Sequence, residues 1–90
     1  MINAITGNEY TGQNEQTLMS LGFDETDSFL TFKQAIKVEG VSGKALKGIK
    51  KAASLVRYVN EENKETGKKE MKPRYFSVFN YKEVISRRAA

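Results

Sequence analysis

The chain has 90 residues, of which 39% are hydrophobic and 29% charged, as is ordinary for one small globular domain. It contains no cysteine and no histidine, which excludes disulfides, thiolate metal sites, imidazole general bases and histidine-based zinc motifs. No apolar run approaches the ~20 residues that cross a bilayer, and residues 1–10 lack the basic flank and apolar stretch of a signal peptide. We therefore expect a cytoplasmic binding protein without a cofactor or a catalytic residue.

The net charge of +4 is unevenly distributed along the chain. Residues 1–32 contain five acids and no lysine or arginine, a net charge of −5. Residues 33–90 contain all 15 basic residues and six acids, a net charge of +9. Concentrated positive charge favours binding to a polyanion, because each neutralised phosphate releases condensed counterions.

Basic and aromatic residues are interleaved in the second part of the chain, as in Arg57-Tyr58, Arg74-Tyr75-Phe76 and Tyr81-Lys82. Cations that pair with phosphates, beside rings that stack on bases, are the groups that bind single-stranded nucleic acid. The alternative is that these are ordinary solvated strands, in which aromatic and charged residues also alternate.

In chain order, the first predicted element is a helix from Gly12 or Gln13 to Ser20. Thr11 is its predicted N-cap. Gly22 stands where a glycine in the left-handed conformation would end the helix. An acidic loop at residues 24–28 follows.

A second helix is predicted from about Phe32 to Val38. Thr31 and Gln34 have the spacing of a capping box, in which each side chain satisfies a free backbone donor of the other residue. Leu30 and Ala35 occupy the hydrophobic staple positions that flank this box.

Residues 41–51 are rich in glycine and lysine and match no P-loop pattern. They are either a phosphate-binding loop or a simple turn. As a phosphate-binding loop, the segment would use its four lysines as point charges on the DNA backbone: Lys44, Lys47, Lys50 and Lys51.

Residues 52–81 are predicted to form a long hairpin with strands at 52–60 and about 74–81 and a charged tip at 61–69. Pro73 is expected at a strand edge, where a missing donor is tolerated. Arg57 and Arg74 are expected to face each other as a like-charge pair that a bound anion would relieve.

Residues 85–90 are predicted to be a frayed tail. The fold class is thus α+β: one domain, residues 1–90, with two short helices packed on a small, mainly antiparallel sheet.

An ordered set of motifs spans residues 3–81: Asn3-Ala4-Ile5-Thr6-Gly7 with Tyr10, Gly12 and Asn14, then Phe29-Leu30-Thr31-Phe32-Lys33-Gln34-Ala35, then Gly40-Val41 and Lys47-Gly48 with Lys50, and Val78-Phe79-Asn80-Tyr81. In this set the chain resembles the N-terminal domain of ArdC-type antirestriction proteins. The resemblance implies single-stranded DNA binding in a phage or plasmid setting, where incoming DNA is shielded from host restriction. Phe29 stands where the family has tryptophan, and the upstream helix and the metallopeptidase-like domain of the family have no counterpart here, so no peptidase activity is implied.

Charge, aromatic character and position, mostly at or near these motifs, predict the DNA-binding residues Tyr10, Asn14, Lys33, Lys44, Lys47, Lys50, Lys51, Arg57, Arg74 and Tyr75. No catalytic residue, metal or cofactor is predicted. A competing interpretation is a protein-binding inhibitor of a host defence complex, and a third is an enzyme fragment whose catalytic domain lies on another chain.

Overall fold

Three short helices pack on one curled four-stranded sheet in the computed structural model, which describes residues 1–88. The strand order is β1-β2-β4-β3, with β1 and β2 parallel and the other neighbours antiparallel. This confirms the predicted α+β class and the long C-terminal hairpin. The elements are β1 (Ile2–Asn3), α1 (Gly12–Ser20), β2 (Ser28–Leu30), α2 (Phe32–Ala35), β3 (Ala53–Glu62), β4 (Lys69–Asn80) and α3 (Tyr81–Ser86).

The first predicted helix is confirmed over its whole length as α1. Thr11 occupies the N-cap position with an extended backbone, but its side chain makes no capping hydrogen bond. Gly22, just beyond the helix, has a φ of +91°, which glycine adopts without the strain that a Cβ would bring.

The capping box that starts α2 is complete. The Gln34 N–H donates to Thr31 Oγ1 over 3.3 Å, and the Thr31 N–H donates to Gln34 Oε1 over 3.0 Å. The predicted end at Val38 is wrong, because the α-helix ends at Ala35. The Ile36 N–H still binds Phe32 O four residues back, but the N–H groups of Lys37 and Val38 bind carbonyls only three residues back, so the segment tightens into turns.

The hairpin strands pair over ten residues, from Ala53 opposite Val78 to Glu62 opposite Lys69, and Arg57 lies opposite Arg74 as predicted. Both strands extend further toward the tip than predicted, which leaves residues 63–68 as the turn. The extension is mostly charged, so hydrophobic alternation does not reveal it. Glu62 lies opposite Lys69, and Glu61, although it lies opposite Glu70, pairs with Lys72 and Arg74 further along β4.

Three elements were not predicted from the sequence. β1 and β2 have two and three residues, too few for an alternating pattern to be visible. The predicted frayed tail is wrong for residues 85–86, which belong to α3. The Asn80 side chain caps that helix by accepting from the Lys82 N–H over 2.9 Å, and Val84 anchors it with a fully buried side chain. Residues 89–90 of the predicted tail lie outside the described residues.

Two hydrophobic clusters form the core, and residue alternation along the strands assigns them to opposite faces of the sheet. The first joins α1 to the sheet, through Leu18, Phe29, Ala53, Leu55 and Val78. The second gathers α2, α3 and the 41–51 segment, through Leu30, Ala35, Val41, Leu46 and Val84. Both predicted staple residues belong to this second cluster. Within the described part of the chain, no helix is long and apolar enough to cross a membrane.

Candidate nucleic-acid interface

β4 has a free edge next to the point where β2 ends. β2 pairs with β4 only through Phe29 opposite Asn80 and Leu30 opposite Phe79. The capping box at Thr31 then turns the chain into α2, so β2 cannot continue along β4. Beyond Phe79, toward the hairpin tip, this edge of β4 has no strand partner among residues 1–88.

A groove of about 790 Å³ lies between the start of α2 and this free edge. Four consecutive β4 residues, 74–77, line it. Because consecutive side chains of a strand point to opposite faces, a groove that all four reach includes the edge of the strand, and its contact with Arg57 and Val59 of β3 extends it over one face of the hairpin. The full lining is Thr31, Phe32, Lys33, Arg57, Val59, Arg74, Tyr75, Phe76, Ser77 and Phe79.

The groove combines positive charge with aromatic rings. Its three cations are Lys33, Arg57 and Arg74, and no acid lines it within the part of the chain that the structure describes. Tyr75 is 73% exposed and Phe32 44% exposed. Large exposed rings beside cations can stack on bases while the charges bind phosphates. Phe32 is held in place by an edge-to-face contact with Phe79, with 6.1 Å between the ring centroids.

The charge of Arg74 is partly compensated from outside the groove. Its guanidinium forms an ion pair with the Glu61 carboxylate, which lies 3.6 Å from the Lys72 ammonium as well. All three side chains are partly exposed, so this interaction is weak and an anionic ligand can compete for Arg74. Arg57, directly opposite Arg74, adds a like charge that favours such a ligand.

The groove thus brings together Lys33, Arg57, Arg74 and Tyr75 from the residues predicted by the sequence. Tyr10 lies elsewhere, half-buried, with its ring edge-to-face on Phe29 at 6.2 Å between centroids. Its hydroxyl accepts a hydrogen bond from the Asn3 side chain over 3.3 Å. Burial raises the pKa of Tyr10 above its usual value, so the hydroxyl stays protonated at neutral pH. These contacts describe a packing residue.

Asn14 is also occupied by a structural contact. Its side-chain amide donates to the Val56 carbonyl over 2.8 Å, and its carbonyl accepts from the Val56 N–H over 2.9 Å. The side chain therefore pairs with the outer edge of β3 as a neighbouring strand would, and it links α1 to the hairpin.

The lysines of the 41–51 segment are exposed but do not line the groove. The segment is a series of turns whose apolar residues, Val41, Leu46 and Ile49, pack into the second cluster. Arg87 holds it from α3 by donating to the carbonyls of Ala45 and Lys47, over 3.4 and 2.9 Å. This firmly packed segment directs Lys44, Lys47, Lys50 and Lys51 toward solvent, where they add to the general positive field.

Sequence reasoning missed the part that Phe32 and Phe79 play in the groove. Phe32 lies inside the capping box, as the first residue of α2, and its side chain is 44% exposed, whereas that of Phe29 is fully buried. The local spacing gives no signal for this exposure, because Phe32 lies three residues before Ala35 and hence on the same side of α2 as that core residue.

A second cavity, of about 480 Å³, is lined by acidic instead of basic side chains. Hydrogen bonds from Thr26 lower the pKa of Asp24, which lines it, so this carboxylate is ionised at neutral pH. A cavity of this charge repels phosphates. It lies in the acidic third of the chain and is lined by Met1, Ile2, Glu9, Tyr10, Glu15, Met19, Phe23, Asp24 and Glu25.

No family model, curated protein or solved structure matches this chain. The resemblance to ArdC-type domains therefore stays a prediction from its motifs.

Proposed function

We propose that the chain binds single-stranded DNA in the groove between α2 and the free edge of β4. The observation that carries the proposal is the composition of the groove, with three cations, four aromatic rings and no acid among its described lining residues. Lys33, Arg57 and Arg74 bind backbone phosphates. The exposed faces of Tyr75 and Phe32 stack on bases, each stacked base contributing about 1–3 kcal/mol.

Single strands are preferred over duplex because an aromatic side chain can stack only on a base that is not already stacked between its neighbours in a double helix. Little sequence preference is expected from these contacts, since every base has a π-face and phosphates carry no sequence information. In the setting that the motif resemblance suggests, a cytoplasmic phage or plasmid protein of this kind coats incoming DNA and shields it from restriction. It acts by binding, without catalysis.

Fluorescence anisotropy with labelled oligo(dT) and a matched duplex, at about 50 and about 200 mM salt, tests the proposal. Three phosphate contacts at about 0.7 each predict that log K falls with log salt with a slope of about −2. Equal or tighter binding of the duplex would contradict the stacking model. Absence of binding would reject the proposal and favour a protein partner in a host defence complex.

Two double variants with the same net charge locate the site. Replacing Lys33 and Arg57 with alanine is expected to make the slope shallower by about 1.4, because two phosphate contacts are lost. Replacing Lys47 and Lys50 with alanine is expected to leave the slope within error, because these residues lie outside the groove. The reverse result would move the binding site to the 41–51 segment.

A further inference from the structure

The contact between Asn14 and Val56 determines which backbone groups of the hairpin face the groove. Both the N–H and the C=O of Val56 are bound by the Asn14 side chain, so both point away from β4. In an antiparallel pair, a residue whose two backbone groups point outward belongs to a non-hydrogen-bonded pair, and its partner's groups also point outward. The partner of Val56 is Tyr75.

The N–H and C=O of Tyr75 therefore point away from β3, toward the free edge of β4 that borders the groove. The same orientation recurs at every second residue, at Pro73 and Ser77. Pro73 has no N–H to offer, and its carbonyl accepts from the Arg74 guanidinium over 3.2 Å. This leaves a short row of backbone donors and acceptors at Tyr75 and Ser77, both of which line the groove.

We propose that the backbone N–H and C=O groups of Tyr75 and Ser77 bind the Watson–Crick edge of an unpaired base. The inference rests on the proposed function, and it identifies the part of the ligand that the β4 edge contacts. Each of the four bases carries a donor next to an acceptor on that edge, so a strand edge that offers both can bind any of them. In a duplex this edge is already paired, which gives the groove a second reason, besides stacking, to prefer single strands.

The free edge is better suited to a base than to an added polypeptide strand. Strand addition needs a run of paired backbone groups, and here Pro73 ends the row of donors two residues beyond Tyr75. Lys72 and Lys69 continue the edge toward the tip, and charged residues of this kind discourage strand pairing. The cations of the groove complement a phosphodiester ligand.

Oligo(dT) in which every thymine is methylated at N3 tests the inference directly. The methyl group removes the N3–H donor and blocks the Watson–Crick edge, while phosphates and ring faces are kept. We expect roughly five- to tenfold weaker binding than to unmodified oligo(dT), with the salt slope unchanged. Equal affinity would overturn the inference and leave the proposed function standing, whereas failure of unmodified oligo(dT) to bind would overturn both.

A proline variant tests whether the backbone N–H of Ser77 on β4 donates to the base. Ser77→Pro removes one edge N–H without removing a bond to β3, as Pro73 does naturally, and Ser77→Ala is the matched control. We expect the proline variant to bind oligo(dT) roughly five- to tenfold more weakly than the alanine variant, which keeps the N–H, and to remain sensitive to N3-methylation, because the carbonyls of the edge are unchanged. A folded Ser77→Pro protein that binds oligo(dT) as tightly as Ser77→Ala would overturn the assignment. If it does not fold, the methylated oligonucleotide still decides the inference on the unaltered protein.

Discussion

Replacing Asn14 with alanine tests whether this residue stabilises the fold, as its contacts with Val56 indicate, or contacts DNA, as the sequence predicts. The change removes two hydrogen bonds, of 2.8 and 2.9 Å, between α1 and the backbone of Val56. At about 1 kcal/mol net for each bond, the free energy of unfolding should fall by about 2 kcal/mol. For a domain of this size, that corresponds to a decrease in Tm of about 8–16 °C.

Thermal unfolding followed by circular dichroism measures this loss, with Asn60→Ala as the control. Asn60 is exposed on the same strand, so its replacement should change stability by about 0.5 kcal/mol or less. Affinity of Asn14→Ala for oligo(dT), measured well below its Tm, should stay within about twofold of the parent. Unchanged stability together with a large loss of affinity would refute this reasoning and make Asn14 a DNA contact.

Two further changes probe the groove itself. Tyr75→Ala should weaken oligo(dT) binding by about 1–3 kcal/mol with the salt slope unchanged, because stacking releases no counterions; a shallower slope measured by anisotropy would contradict a stacking role. Glu61→Gln should raise affinity about two- to fivefold more than Glu62→Gln, because it alone frees Arg74 from its ion pair, worth about 0.2–1 kcal/mol. Equal effects of these two variants, which change the net charge identically, would mean that Arg74 does not contact the ligand.

The parts of the fold that could be predicted are those encoded by neighbouring residues. The capping box at Thr31 and Gln34 and the paired strands around Arg57 and Arg74 depend on short-range spacing, and both were predicted correctly. β1 and β2 depend on long-range pairing, with Ile2 opposite Ser28, and a two-residue strand has no periodicity of its own. α3 was missed because its cap, Asn80, is also the last residue of β4.

The candidate site could be predicted only as a list of charged and aromatic residues. Composition and interleaving selected Lys33, Arg57, Arg74 and Tyr75, but they selected Lys47 and its neighbours equally well. What distinguishes the two groups is the early end of β2, which leaves one edge of β4 free and opens the groove beside it. That property arises from tertiary pairing and has no signature in the local sequence.

The most direct test of binding in the groove is a titration of the ¹⁵N-labelled chain with oligo(dT), followed by amide chemical shifts in NMR spectra. The groove model predicts the largest shift changes at Lys33, Tyr75 and Ser77, with small changes at Lys47 and in the acidic cavity around Glu15. Shift changes concentrated in residues 44–51, with the β4 edge unaffected, would contradict it.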